Sequence, residues 1–205
     1  MSSNNSALLV FAIVVLVLAL GNLVVTIDKV GTLTGRASDT ATAALELAPA
    51  AQIDFIVDSI NWGSGAVDEA PTKANINSEG AVIGGNWTAV SQGLTLQNNG
   101  NVDVTLSLTT SNVASAFIGG SAGGGPKYEL KVSNSEASSC EVPLNSTNLG
   151  TYTEATGTAQ ATCKKFDKTD ASDLLRIDVN LTIPEDADPG AKSSTITATA
   201  IVFTP

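Results

Sequence analysis

Apolar and polar side chains alternate with a period of two through much of the chain after Gln52, and this pattern restricts that part to half-buried β-strands. The alternation is clearest from Leu175 to Ile183, where the odd positions are apolar and the even positions are polar. Similar runs occupy residues 53–57, 102–108, 128–132 and 196–202. Because turns rich in Gly, Asn and Pro separate these runs, we predict an antiparallel, immunoglobulin-like β-sandwich over residues 52–205.

The connection between the last two runs is PEDADPG, from Pro184 to Gly190. Its two prolines cannot continue a strand ladder, and its Asp and Gly residues favour a turn. We therefore predict that these two strands form an antiparallel hairpin.

A second constraint is the uncharged, apolar run from Ala7 to Val25, which only Gly21 and Asn22 interrupt. As a helix it would be about 28 Å long, close to the hydrocarbon thickness of a bilayer. We predict one N-terminal hydrophobic α-helix within residues 1–27, followed by a polar stalk or linker over residues 28–51. Three interpretations of the helix stay open: a membrane anchor, a cleaved signal peptide and a pilin-type helix in a filament core.

Cys140 and Cys163 are the only two cysteines, and their spacing fits neither a zinc motif nor a CxxC redox pair. A disulfide is the simplest interpretation. It would close a loop of about 24 residues, which stabilises a fold by about 3 kcal/mol in the chain-entropy model, and it implies an oxidising compartment. The alternative is a pair of buried free thiols in a cytosolic core.

Four Asn-x-Ser/Thr sequons occur in the sequence, at Asn4, Asn86, Asn145 and Asn180. Several should arise by chance in a chain so rich in Ser, Thr and Asn, so their number carries little weight. Asn180 lies on the polar face of its strand, and Asn145 lies in the loop between the cysteines. We therefore treat Asn86, Asn145 and Asn180 as candidates for glycosylation.

The charges beside the apolar run give a weak signal for orientation. Lys29 and Arg36 follow the run, and because residues 1–6 carry no Lys or Arg, the positive-inside rule slightly disfavours an external C-terminal part. Long domains cross membranes largely regardless of charge, and the cysteine pair and the sequons suit an exported domain. We predict a cell-surface or extracellular protein, anchored in the cytoplasmic membrane or exported across it.

The 205-residue sequence has no histidine and a net charge of −10. The missing histidine removes the usual general base of Ser and Cys hydrolases and the commonest metal ligand. The negative charge would repel nucleic-acid phosphates. We predict a protein that is not an enzyme, uses no cofactor or metal and does not bind nucleic acid. A glycosidase remains the least favoured alternative, since it would need two facing carboxyl groups about 5 to 10 Å apart.

Three further motifs have both a functional and a structural interpretation. Two groups of acidic residues could bind Ca²⁺. Neither follows the DxDxDG pattern of calcium-binding loops, so we favour solvated acidic loops. The glycine-rich run lacks the Lys-Ser/Thr pair that ends a phosphate-binding loop, so we favour a flexible loop. The two tryptophans could stack on carbohydrate, but packing is commoner. The residues concerned are Asp167, Asp170, Asp173, Glu185, Asp186 and Asp188 for the acids, 117–127 for the glycine run, and Trp62 and Trp87.

Several segments resemble small surface proteins of archaea of the DPANN assemblage, and together they cover nearly the whole chain. They are TGRASDTATAALEL from Thr34, INWGSG from Ile60, GNWTAVSQGLTLQNNGNVDVTLSL from Gly85, AFIGG from Ala116, KVSNSEASSC ending at Cys140, and DASDLLRIDVNLTIPEDADPGAKSSTITATA from Asp170. The resemblance implies an exported β-domain behind a signal or anchor helix, in an S-layer or another surface component. It implies no catalytic residues.

About the first 45 residues also resemble archaellins and archaeal type IV pilins, in which an apolar helix precedes a β-sandwich. The sequence departs from that family in two respects. No basic stretch precedes the apolar run, and no glutamate lies near its start.

The sequence thus predicts a structural protein whose copies assemble into an extracellular lattice, with the N-terminal helix attaching it to the membrane. One alternative is a pilin-like or archaellin-like filament subunit. Another is an adhesin that binds a host surface or glycans through a loop such as 119–126.

Overall fold

The computed structural model describes residues 44–141 and 149–205. The chain divides into two compact units, Met1–Glu46 and Leu47–Pro205, and the description below concerns the second. Its elements within the described ranges are β1 (Ile53–Val57), β2 (Lys73–Asn77), β3 (Val82–Ile83), β4 (Leu94–Asn98), β5 (Val104–Thr110), α1 (Ala114–Phe117), a 3-10 turn (Ala122–Gly124), β6 (Lys127–Asn134), β7 (Thr153–Glu154), β8 (Gln160–Phe166), β9 (Leu174–Pro184) and β10 (Ile196–Val202).

The larger of two antiparallel sheets is organised around the long strand β9. One side of β9 pairs with β4 along its first half and with β2 along its second half, while the other side pairs with β6. Strands β1, β3 and β7 complete this sheet by pairing with β4, β2 and β6 respectively. The smaller sheet has the order β10-β5-β8.

The two sheets share one hydrophobic core. Period-two alternation directs every second side chain of a strand to the same face, and the core side chains follow this rule. Leu96, Leu175 and Ile177 of the larger sheet and Leu106 of the smaller sheet are each 0% exposed. The helix α1 adds Phe117, whose ring lies 5.1 Å from that of Tyr128 between centroids.

Asn98 connects the two sheets by hydrogen bonds. Its side chain is fully buried at the end of β4, and its amide nitrogen donates to the carbonyl oxygens of Val102, Phe166 and Asp167 at 3.1 to 3.2 Å. The side-chain oxygen of Asn98 accepts a bond from the backbone N–H of Gly100. The turn over residues 97–101, with the sequence QNNGN, is therefore also a fixed polar link between the layers, since buried amides need such partners.

The predicted fold class, an immunoglobulin-like sandwich preceded by one N-terminal hydrophobic α-helix, is wrong for this structure. The only α-helix in residues 44–141 and 149–205 is the four-residue α1. None of the helices in these ranges is long and apolar enough to cross a membrane. Residues 1–43, to which the predicted helix belongs, lie outside the described part. The sheets hold seven and three strands, whereas an immunoglobulin constant domain has four and three.

The predicted hairpin between the last two strands is also wrong. Strand β9 lies at the centre of the larger sheet, whereas β10 pairs with β5 in the smaller one. The physical reason is that both sides of β9 are already occupied by β2, β4 and β6. The segment after Pro184 therefore carries the chain from one layer to the other.

Candidate functional site: an open sheet edge

Strand β10 is an edge strand. It pairs with β5 in unbroken antiparallel register from Ile196, opposite Thr110, to Val202, opposite Val104. No other strand in the described part of the chain pairs with its second side. An edge of this kind presents unpaired N–H and C=O groups that can accept another strand.

The backbone groups on the open side of β10 can be assigned from the bonds that flank the strand. Ser111 N–H donates to the carbonyl oxygen of Thr195, and Phe203 N–H donates to that of Asp103, each at 2.9 Å. Bonded and non-bonded pairs alternate in an antiparallel ladder, so the odd-numbered residues of β10 bond to β5. The even-numbered residues direct their N–H and C=O groups to the open side. They are Ile196, Ala198, Ala200 and Val202.

The side chains of this edge carry no charge. Lys192 is the last charged side chain before it, and residues 193–205 include no Asp, Glu, Lys or Arg. The exposed side chains are Thr197, Thr199 and two large apolar residues, Ile201 and Val202, which are 63% and 45% exposed. Ile, Val and Thr all favour strands, so the segment is well suited to pairing with a second strand.

The other edge of the smaller sheet is protected. Lys164 and Lys165 lie on β8, and the segment from Ser139 to Glu141 runs along its end. In that segment Cys140 bridges to Phe166, and Glu141 N–H donates to the carbonyl oxygen of Lys165 at 3.2 Å. Charges and a covering segment are two of the means by which proteins prevent edge-to-edge association.

The described edges of the larger sheet are protected as well. Strand β1 carries Asp54 and has a register shift between Phe55 and Val57, while β3 and β7 have two residues each. Short edges, bulges and charges all disfavour pairing with another chain. Strand β10 is thus the one described edge that combines seven residues, unbroken register and no charge.

The predicted disulfide is confirmed. Cys140 and Cys163 are bonded, and their Cα atoms are 5.8 Å apart. Cys163 lies on β8 and is fully buried, and Cys140 is 4% exposed. The bond therefore attaches the covering segment 139–141 to the edge that it protects.

The candidate glycosylation residues fall into different surroundings. Asn86 is exposed in the connection between β3 and β4. Asn180 is half-buried on the central strand β9, where its amide nitrogen donates to Glu129 at 2.7 Å. Asn145 lies outside the described residues. Neither Asn86 nor Asn180 lies at the open edge of β10.

A charged pair with a buried carboxylate lies on the side of β9 that faces away from the core. Asp178, whose side chain is 2% exposed, pairs with Arg176 at 2.8 Å and accepts a bond from the Ser78 hydroxyl at 2.7 Å. Arg176 also donates to the carbonyl oxygen of Ser78 at 3.0 Å. Strands β2 and β4 pair with the same side of β9, one after the other, and this charged pair lies at the gap between them. Its bonds therefore stabilise the sheet where the strand pairing is interrupted.

A second ion pair extends this polar cluster. The ammonium group of Lys131 lies 2.5 Å from the Glu79 carboxylate and 4.9 Å from the centre of the Tyr152 ring, and the Tyr152 hydroxyl donates to Glu79 at 2.8 Å. The hydrogen bonds from Lys131 and Tyr152 lower the pKa of Glu79. Burial, together with the bond to Glu79, raises the pKa of Tyr152. All these groups are partnered, so the cluster serves as a structural network.

The glycine-rich run is held in place by Asp186. Its carboxylate accepts bonds from the backbone N–H groups of Ser121 and Ala122 and from the Ser121 hydroxyl, at 2.8 to 3.0 Å. Gly120 has φ of +80°, and a Cβ atom there would lie 2.7 Å from an Asp186 oxygen. Only glycine fits this position, because both the backbone conformation and the space require it.

Protonation of Asp186 should release this run. The bonds from Ala122 and then Ser121 hold the Asp186 pKa below its ordinary value of 3.8. A lowered pKa in the folded state means that the stabilisation is complete above the unfolded value and is lost as pH falls through the folded pKa. An NMR titration should place the Asp186 midpoint below 3.8, with the Ser121 and Ala122 amides following it. Asp188→Asn, the control, should leave that midpoint unchanged. A midpoint at or above the ordinary value would contradict the role of Asp186 in holding the glycine-rich run.

The acidic residues considered as calcium ligands do not converge. No group of three or more metal-binding side chains occurs among the described residues. Several of these acids instead bond to the protein. Asp173 accepts a bond from Gln97 at 3.1 Å, and Asp167 accepts one from the Thr169 N–H at 2.7 Å.

The tryptophans pack against the fold. Trp87 contacts the core cluster, and Cβ atoms built on Gly65 and Gly85 would lie 2.5 Å from its ring. Trp62 also packs against that cluster, and its indole N–H donates to the carbonyl oxygen of Asn77 at 3.4 Å. Packing, the commoner interpretation, therefore accounts for both rings.

Sequence reasoning missed the open edge as a site. The alternation predicted a strand at 196–202, and the strand is present, but it also predicted the wrong partner for it. One signal was available, namely the absence of charge from Ser193 to Pro205 in an acidic chain.

Comparison with known proteins gives no relative: no protein-family model, no curated protein and no solved structure matches the chain. The resemblance to surface proteins of DPANN archaea therefore stays a prediction.

Proposed function

We propose that this protein is a non-catalytic structural subunit of an extracellular assembly, a surface lattice or a filament, and that copies associate through the open edge of β10. The observation that carries this proposal is the seven-residue, uncharged edge strand with its row of outward backbone groups at Ile196, Ala198, Ala200 and Val202. Strand addition at such an edge is a common mode of association, in which backbone hydrogen bonds supply much of the affinity.

A second copy is the occupant that the charges favour. With a net charge of −10, two copies repel each other over most approaches, and this repulsion is weakest where both surfaces lack charge. Two β10 strands meet that condition. Antiparallel pairing of one β10 with another is self-complementary, as a two-fold interface requires, and it would join the three-stranded sheets of two copies into one. Because a two-fold interface closes on itself, this pairing forms a dimer, which we propose as the repeating unit of the larger assembly.

The disulfide supports an extracytoplasmic location for this assembly. Disulfides persist in oxidising environments and are rare in the cytosol. The bond holds segment 139–141 over the β8 edge, so oxidation keeps one edge protected while β10 stays open. This asymmetry would direct association to one side of the smaller sheet.

Proline at position 200 should block the association without disturbing the fold. The Ala200 N–H points to the open side, so Ala200→Pro keeps the β10–β5 ladder and removes a donor from the edge. We expect the self-association constant to fall about tenfold or more, which corresponds to roughly 1.4 kcal/mol. Analytical ultracentrifugation would measure the constant, and electron microscopy would show whether arrays or filaments disappear.

Two matched variants serve as controls for this experiment. Ala200→Ser keeps the N–H group and should assemble normally. Thr199→Pro removes an N–H that bonds to β5, so it should destabilise the monomer itself. A wild-type protein that stays monomeric at high concentration, or an Ala200→Pro variant that assembles as well as the wild type, overturns the proposal.

A further inference from the structure

We propose that Asn86 carries an N-linked glycan and that Asn180, although it lies in the same type of sequon, does not. This inference goes beyond assembly and rests on the proposed function only in requiring export. Both sequons have Thr at the third position, Thr88 and Thr182, so the sequence alone does not separate them. Their surroundings in the fold do.

The Asn86 side chain is oriented for modification. Its carbonyl oxygen accepts a 2.7 Å bond from the Ala66 N–H, and its backbone N–H donates to the carbonyl oxygen of Ala66 at 3.2 Å. The amide nitrogen, Nδ2, bonds to no residue within 44–141 and 149–205. Because Asn86 is exposed, the fixed oxygen leaves Nδ2 available to an approaching enzyme.

The rest of this sequon is accessible too. Thr88 is exposed, and residues 86–93 belong to no strand or helix. Between Asn86 and Thr88, the Trp87 ring packs against the core, which keeps the two flanking side chains on the outside. N-glycosylation requires both the Asn amide and the hydroxyl two residues later, and this loop presents both.

The Asn180 sequon lacks each of these features. Its Nδ2 atom donates to Glu129 at 2.7 Å, and strands β2 and β6 pair with Asn180 from both sides. The Thr182 residue is 4% exposed, and its hydroxyl donates to the Asn75 side chain at 2.8 Å. Modification there would require strand β9, the centre of the larger sheet, to open.

The reaction at Asn86 needs a sugar donor, which we take to be an oligosaccharide linked to a polyisoprenyl phosphate. Nδ2 forms a bond to the anomeric carbon of the first sugar, and the bond from that carbon to the phosphate oxygen breaks. One Nδ2 proton passes to a base of the transferase, and the lipid phosphate leaves with the bonding electrons. The product amide keeps one N–H and the Ala66 bond to its oxygen.

Glycopeptide mapping of the protein from the cells that make it tests this inference. We expect the Asn86 peptide to carry sugar in most molecules and the Asn180 peptide to carry none. Asn86→Gln and Thr88→Ala should each abolish the added mass at this site, Thr88→Ser should retain it, and Asn180→Gln should leave the mass of the glycan unchanged. Thr88→Ala keeps the Asn86 contacts, so it covers the case in which Asn86→Gln folds poorly.

The same sample separates this inference from the proposed function. An unmodified Asn86 overturns the inference, and so does sugar on Asn180 in the folded protein. If Cys140 and Cys163 are oxidised in that sample, export has occurred and only the inference fails. If both thiols are free, the extracytoplasmic location of the proposed function fails as well.

Discussion

Removal of the Cys140–Cys163 bond is expected to lower the free energy of unfolding by about 3 kcal/mol. The bonded residues are 23 positions apart, and a cross-link that closes a loop of this length restricts the unfolded chain by about that amount. We expect Cys140→Ala/Cys163→Ala to show this loss in guanidinium denaturation. Alanine is the suitable replacement, since serine would bury a hydroxyl at two sites that are at most 4% exposed.

Two controls show whether the missing cross-link causes this loss of stability. The reduced wild-type protein should lose about as much stability as the double variant, because both lack the cross-link. A single Cys140→Ala variant should match them, since its remaining thiol has no partner. A loss below about 1 kcal/mol in the double variant would contradict the expectation, because it would mean that the bond adds little to a fold already formed.

Asp178→Ala is expected to cost about 3 kcal/mol of stability. The change removes the carboxylate to which Arg176 and the Ser78 hydroxyl donate, and removing one partner of a buried ion pair costs about 3 to 5 kcal/mol. The lower end applies because the Arg176 side chain is 33% exposed and stays partly hydrated. Thermal or chemical denaturation would measure the loss.

Three variants distinguish the mechanism of this loss. Asp178→Asn keeps an acceptor for Ser78 and should cost less, about 1 to 2 kcal/mol. Asp170→Ala, on an exposed acid, should change stability by no more than about 0.5 kcal/mol. Arg176→Ala combined with Asp178→Ala should cost less than the sum of the single changes, because each single change already breaks the same ion pair. Strict additivity would mean that the two side chains act independently.

The stability losses predicted for the disulfide and Asp178 variants also provide a control for the proposed assembly. The disulfide and the Asp178 pair both stabilise the fold away from β10, so their removal should lower monomer stability more than the affinity between copies. Ala200→Pro should do the reverse. If all three variants lost assembly in proportion to stability, folding alone would explain the association, and the open edge would have no specific part in it.

The sequence determined where the main strands lie and which cysteines bond. Alternation of apolar and polar residues reports which face of a strand is buried, and it correctly predicted strands at β1, β5, β6, β9 and β10. It missed β2, which has only two apolar residues, and β8, where bulges against β5 interrupt the alternation. The disulfide followed because only two cysteines were present.

Only the tertiary structure decided which strands are neighbours. Alternation describes one strand at a time, whereas pairing depends on residues far apart in the chain, so the sequence could not show that β9 is surrounded and that β10 crosses to the other sheet. The same limit applies to the sites. The open edge exists because β5 pairs with β10 on one side and no described strand pairs on the other, and Asn86 differs from Asn180 through contacts with Ala66 and Glu129, which lie 20 and 51 residues away.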